Sequence, residues 1–183
     1  MPLYGAPRIA CDIRSMQRRQ WLALGAVSAA VLAAGGGALA MLRPGMDGGR
    51  LSAAGREVFR GVGKAMLAGS WPAQADLARV AMEDWLGRVD ALILALPAHA
   101  QAELSQLLAL LATGAGRVML AGLHEPWDVA TVPAIQQALQ SMRVSSLSLR
   151  QQAYQALHDI AGGAYFSAAQ TWSLLGYPGP RPL

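Results

Sequence analysis

The stretch LSAAGREVFRGVGKAMLAGSWP, residues 51–72, indicates the fold class of this 183-residue chain. Its larger apolar side chains recur at the spacing of an α-helix, about 3.6 residues per turn: Val58, Phe59, Val62 and Met66. Gly69 and Pro72 follow and supply a helix stop. The pattern predicts a helix over about 52–68 with one apolar face turned towards a core.

The same spacing continues towards the carboxyl end. It predicts a helix over 73–96 that Pro97 ends, and another of about 15 residues within AHAQAELSQLLALLATG, residues 98–114. The short apolar run GRVMLAGL fits a strand or a helix, and we assign it to a helix. A helix with Pro133 among its first residues and a last helix over 147–165 complete the series. No alternating patterns separated by hairpin signals occur, so we predict an all-α domain over 51–166, an irregular bundle of five or six helices.

Two segments flank this predicted domain. Residues 41–50, MLRPGMDGGR, have the glycine and proline content of a linker. Residues 167–183 are predicted to form an extended tail, because the Pro178-Gly179-Pro180 run cannot be helical. The end of the chain is also rich in aromatic side chains: Tyr165, Phe166, Trp172 and Tyr177. Such a segment either packs back over the bundle or binds another protein, and both alternatives stay open.

The amino-terminal segment, residues 1–40, has the features of a targeting signal. No charged side chain occurs over 20–42, a run long enough to cross a hydrocarbon core of about 30 Å. Alanine and glycine dominate the run, which favours a secretory signal over a membrane anchor. The residues before it resemble the bacterial twin-arginine translocation signal: Arg18, Arg19, Trp21 and Leu22.

A small-x-small sequence follows at Ala38-Leu39-Ala40, which predicts signal cleavage after Ala40 and a periplasmic location. The alternative is an uncleaved inner-membrane anchor over 20–42.

Net charge and the reactive residues limit the functional classes to which the protein can belong. The net charge is +4, but residues 1–40 hold four arginines against one aspartate, so the later part has little basic excess for binding nucleic acid. The single cysteine, Cys11, excludes an intramolecular disulfide.

Potential chemical groups are scattered along the chain. The three histidines, His99, His124 and His158, form no pair with metal-ligand spacing. Asp90 is expected on a solvated helix face, within reach of Arg79 or Arg88. His158 and Asp159 are adjacent on a helix and are therefore not expected to face each other. No catalytic, cofactor-binding or metal-binding residue is predicted.

Three stretches together resemble the small, or gamma, subunit of gluconate 2-dehydrogenase-type complexes. They are the twin-arginine leader, the opening LSAAGREVFRGVGKAMLAGSWP, and the ending WSLLGYPGP, which an aromatic pair precedes. The family pattern at the tail is matched by Trp172, Gly176, Tyr177, Pro178 and Gly179, whereas residues 97–145 match nothing in it.

The resemblance implies a non-catalytic accessory subunit. It would support the folding and twin-arginine export of a periplasmic, FAD-dependent oxidoreductase of the glucose-methanol-choline type that acts on sugars, sugar acids or polyols. FAD, and haem c in a possible cytochrome c subunit, would belong to the partner subunits. The partner interface would include Tyr165, Phe166 and the tail residues that match the pattern. The alternative is a stand-alone periplasmic or membrane-anchored helical binding protein.

Overall fold

The computed structural model describes residues 44–169, 171, 172 and 176, which belong to one compact unit. Within these residues six helices and one two-stranded hairpin form. The helices are α1 (Ala53–Met66), α2 (Ala75–Leu94), α3 (Ala98–Ala112), α4 (Gly114–Ala121), α5 (Val132–Arg143) and α6 (Ser148–Phe166). The prediction of an all-α bundle is confirmed, and the ambiguous run GRVMLAGL lies in α4 and the two residues after it.

Hydroxyl side chains cap the amino ends of three helices: Ser52 of α1, Thr113 of α4 and Thr131 of α5. The Ser52 hydroxyl accepts from the Gly55 N–H at the start of α1, and Thr131 accepts from the Ala134 N–H at the start of α5. Pro133 lies in the first turn of α5, where the missing N–H has no helical partner to lose. These caps satisfy N–H groups that the first turn of a helix leaves unpaired.

Helix α1 lies at the centre of the bundle and packs against α2, α3, α5 and α6. The largest side chains excluded from water are Trp85 of α2 and Trp127 of the loop before α5. Two glycines of α1 make room for them. A Cβ atom at Gly63 would lie 2.6 Å from Cζ3 of Trp85, and one at Gly61 would lie 3.0 Å from Cε3 of Trp127. The GVG sequence of α1 is therefore a packing site for two indole rings.

A hairpin precedes α1, in the segment that the sequence assigned to a linker. Its strands, β1 (Met46–Asp47) and β2 (Arg50–Leu51), pair antiparallel across Gly48 and Gly49. Both glycines have positive φ, 56° and 79°, as a tight two-residue turn requires. Met46 donates its N–H to the Ser105 hydroxyl of α3 at 3.2 Å, and Met46 and Leu51 are buried. Residues 44–51 are thus packed against the bundle rather than separate from it.

Thr113 ends α3 and starts α4. Its hydroxyl donates to the Leu110 carbonyl at 2.8 Å and accepts from the Gly116 N–H at 3.0 Å, so the chain turns at one residue. The two helices meet at 103°, and this bent pair alone has the length and composition of a membrane span among the described residues, where no single helix has both.

Candidate functional site

The predicted partner interface begins at the end of α6, where two aromatic rings have different surroundings. Tyr165 is only 8% exposed and belongs to the core, so its ring leaves little surface for the predicted partner contact. Phe166 is 44% exposed, and its ring meets that of Tyr165 edge to face with centroids 5.2 Å apart. The adjacent positions differ because consecutive helical side chains point about 100° apart. Phe166 is therefore the solvent-exposed ring of this pair.

The first residues of the tail fold back on this helix end and are not extended. Thr171 is buried, and its hydroxyl donates to the carbonyls of Ala168 at 2.7 Å and Tyr165 at 3.2 Å. Trp172 donates its indole N–H to the Phe166 carbonyl at 2.8 Å. These donors bind carbonyls at the end of α6, so the described residues that follow stay close to the helix end. Trp172 is brought next to Phe166 as a result.

Helix α2 fixes the position of this helix end. The guanidinium of Arg88 donates through Nε to the Ala164 carbonyl at 2.9 Å, and Trp85 donates through Nε1 to the Ala161 carbonyl at 3.2 Å. Both contacts lie on the side of α6 that faces α2. Phe166 therefore lies at a helix end that α2 holds in place, and Trp172 is bonded to it, which reduces the conformational entropy that a partner would have to overcome.

Other predicted site residues lie outside the described part of the chain. They are the signal residues Arg18, Arg19, Trp21 and Leu22, the cleavage residues Ala38 and Ala40, and the tail residues Tyr177, Pro178 and Gly179. Gly176 is described: it is exposed and has a φ of 67°, which suits glycine.

An ion-pair network joins α1 to α2, and the sequence predicted its partners wrongly. Asp90 is buried rather than solvated, and its carboxylate accepts from Arg56 Nη2 at 2.6 Å and from the Leu51 N–H at 2.8 Å. Glu83 accepts from Arg60 at 2.8 Å and from Arg56 at 3.5 Å. The arginines come from α1, which sequence spacing along α2 could not show. The network holds the hairpin and two helices together, which is a structural role.

His158 and Asp159 do meet, contrary to the expectation from their adjacency. Nδ1 of His158 lies 3.1 Å from Oδ1 of Asp159, and the ring of Tyr154 lies 5.6 Å from the imidazole. Burial raises the pKa of Asp159, but the hydrogen bond from Gln155 and the nearby His158 outweigh it, so the net pKa is lowered. Both side chains are about half exposed or more, as expected of a surface pair.

Arg117 of α4 is the buried cation that the sequence did not single out. Its Nη2 donates to the His124 carbonyl at 3.3 Å, while its Nε has no hydrogen-bond partner.

In the described residues, no group of three His, Cys, Asp or Glu side chains is arranged to hold a metal ion. Comparison of the chain with protein-family models, with curated proteins and with solved structures gave no match.

Proposed function

We propose that the chain is a non-catalytic accessory subunit that accompanies an FAD-dependent oxidoreductase of the glucose-methanol-choline type through the twin-arginine pathway into the periplasm. The observation that carries the proposal is that the exposed Phe166 lies together with Trp172 at a helix end that α2 holds in place. A solvent-facing aromatic ring on an ordered element is typical of a protein interface. Trp172, one of the tail residues that resemble the gamma-subunit pattern, lies at this helix end.

The leader supports the export part of the proposal. The Arg18-Arg19 pair stands before an apolar run that is rich in alanine and glycine, as in signals that a translocase reads. A pathway that carries folded proteins suits a subunit that binds its partner before export. The substrate class of that partner, sugars, sugar acids or polyols, follows from the resemblance.

Replacing both leader arginines tests this function. With Arg18→Lys and Arg19→Lys together, charge is kept but the planar guanidinium groups are lost. We expect the chain and the flavoprotein that co-purifies with it to disappear from the periplasmic fraction. An immunoblot measures the chain, and flavin absorbance measures the flavoprotein. The matched control is Arg8→Lys with Arg14→Lys, which changes two arginines outside the pair and should leave export intact. Normal export of the flavoprotein with the first variant would contradict the proposal.

The helix-end surface is tested by the same co-purification. Phe166→Ser removes the exposed ring, and we expect bound flavin per tagged chain to fall about tenfold or more, because aromatic anchors often contribute about 2 kcal/mol to binding. Leu77→Ser is the control, since Leu77 is also exposed but lies near the start of α2. Equal flavin recovery with both variants would exclude Phe166 from the interface. A chain that purifies without any flavoprotein would favour the stand-alone binding protein.

A further inference from the structure

Helix α2 carries a second row of residues on the side that faces away from the core. Its buried side chains lie on one face: Met82, Trp85, Leu86, Val89, Asp90 and Ile93. Exposed residues recur on the opposite face at alternating steps of three and four positions, and we name these six the outer seam: Leu77, Val80, Asp84, Gly87, Ala91 and Leu94. At about 100° per residue, all six fall within a stripe about 100° wide. They therefore form one continuous surface along a single helix.

The outer seam is mainly apolar, although it faces water. Leu94 is 58% exposed, Leu77 54% and Val80 51%. The outward side of a surface helix is normally polar, whereas apolar residues at alternating steps of three and four are the spacing with which one helix packs along another. From Leu77 to Leu94 the seam extends over about 26 Å, at about 1.5 Å per residue. The spacing and the length fit a second helix as the occupant of the seam.

Gly87, in the middle of the outer seam, has no packing role within the described part of the chain. A Cβ atom at this position would meet nothing within 4 Å, unlike one at Gly63, which would meet an indole ring. Glycine inside a helix costs about 1 kcal/mol relative to alanine. Ala91 lies one turn further along the same face, and two small residues there let a second helix approach to about 8 Å between the axes. A close approach by another helix explains a glycine that the packing of the chain itself does not.

Two charges, one in the outer seam and one beside it, have no oppositely charged partner in the described residues. Asp84 is exposed and forms no salt bridge there. Arg88 follows one turn later, and its guanidinium binds through Nε to the Ala164 carbonyl rather than to a carboxylate. The complementary partner offers a positive group near Asp84 and a negative group near Arg88. A second copy of α2 has both.

The direction of the second helix follows from these charges. We consider an antiparallel pair related by a twofold axis, with Leu77 across from Leu94 of the other copy. Asp84 then lies across from Gly87 of that copy and within about 1.5 Å, along the helix axis, of its Arg88. The same contact forms twice, because a twofold interface repeats each contact. In a parallel pair the two Asp84 carboxylates would face each other and repel.

We propose that the outer seam of α2 pairs antiparallel with the outer seam of a second copy of the chain. The two leucines at the ends of the seam pack against each other across the interface, and the small residues at its middle let the two backbones approach. Asp84 and Arg88 form ion pairs between the copies on both sides of the twofold axis. The seam does not include the helix end that bears Phe166, so this self-association goes beyond the proposed function and does not depend on it.

Cross-linking between two differently tagged full-length chains tests the pairing. In a Cys11→Ser background, one chain carries Leu77→Cys and the other carries Leu94→Cys. A mild oxidant forms a disulfide only where two Cα atoms come within about 7 Å, and within one chain these positions are about 26 Å apart. We expect the mixture to give at least about fivefold more cross-linked dimer than either chain alone, because only the antiparallel pair brings the two positions together.

The matched control moves one cysteine away from the outer seam. Leu147 is 62% exposed and does not belong to α2. A mixture of Leu147→Cys and Leu77→Cys chains should therefore give no more cross-linked dimer than the single chains. Association through residues 20–42 would bring all these chains together alike, so the comparison separates it from pairing of the seams.

The close approach at Gly87 has its own test. Gly87→Gln favours the helix, because glutamine has a better helix propensity than glycine, but its side chain occupies the space of the second helix. Placed in both cysteine chains, it should lower the yield of the mixed cross-link about tenfold. Gly162→Gln in α6 is the matched control, since a Cβ atom there also meets nothing within 4 Å. Far-UV circular dichroism confirms that each variant is folded.

Three results would overturn the proposal. One is a mixture without cross-linked dimer, which is also the result expected if another part of the chain or a different protein occupies the seam. Another is an equal yield from the mixture and from either chain alone, which would exclude the antiparallel register. The third is an equal yield with Gly87→Gln and Gly162→Gln, or with the cysteine at position 147, which would show nonspecific association.

Discussion

Trp85→Ala is expected to lower the free energy of unfolding by about 3–5 kcal/mol, the range for truncating a large buried aromatic side chain. The indole is fully buried, and it meets the ring of Phe59 at 6.3 Å and that of Trp71 at 5.9 Å, both edge to face. Its loss leaves a cavity between α1, α2 and α6 and frees the Ala161 carbonyl, which accepts from the indole N–H. Urea unfolding followed by circular dichroism measures the change. A loss below about 1 kcal/mol would show that the core can collapse into the space.

The same contact can be tested from its other side. Gly63→Ala places a Cβ atom 2.6 Å and 2.8 Å from two ring carbons of Trp85, and a rigid ring between packed helices has little room to move. We expect a net loss of about 1–3 kcal/mol, because overpacking outweighs the better helix propensity of alanine. The matched control is Gly87→Ala in α2, where a Cβ atom would have nothing within 4 Å. That variant should gain up to about 1 kcal/mol from propensity alone.

Asp90→Ala is expected to lower the free energy of unfolding by about 2–4 kcal/mol. The carboxylate is the acceptor for the buried Leu51 N–H and for Arg56, so its removal leaves one donor without a partner and one cation with only the longer contact to Glu83. Breaking one side of such a pair costs more than the pair itself contributes, because the remaining groups stay desolvated. The side chain of Arg56 is 29% exposed and can be partly hydrated, which limits the loss.

The control for Asp90 lies on the same helix. Asp84 of α2 is exposed, and Asp84→Ala should change the free energy of unfolding by no more than about 0.5 kcal/mol. Hydrogen exchange at the Leu51 amide adds a local readout, since Asp90→Ala should speed exchange there before the bundle unfolds. If Asp90→Ala and Asp84→Ala lowered the free energy of unfolding by equally small amounts, the hairpin would be held by its apolar contacts and not by Asp90.

Helix positions followed from the sequence because each helix carries its own signals. The apolar spacing around Val58 and Phe59, the cap at Ser52 and the stop at Pro97 are local, and the observed ends differ from the predicted ones by two residues or fewer where bounds were given. A helix satisfies its backbone hydrogen bonds within one segment, so a short window of sequence contains most of the information.

The hairpin before α1 and the ion-pair network between α1 and α2 could not be predicted from a short window of sequence. Strands of two residues are too short for an alternating pattern, and β1 and β2 depend on the turn at Gly48-Gly49 and on contact with α3. Likewise, Asp90 binds an arginine 34 residues earlier in the chain. Charge spacing along one helix predicts pairs within that helix, so Arg79 and Arg88 were expected in place of Arg56.

By itself the sequence determined an all-α domain, the places where its helices start and stop, and the local motifs at both ends of the chain on which the proposed function rests. The tertiary structure alone decided which side chains the domain buries and which it shows. It buried Tyr165 and exposed Phe166 beside Trp172. The reason is physical: helix formation is a local equilibrium of the backbone, whereas burial depends on neighbours that are distant in the chain.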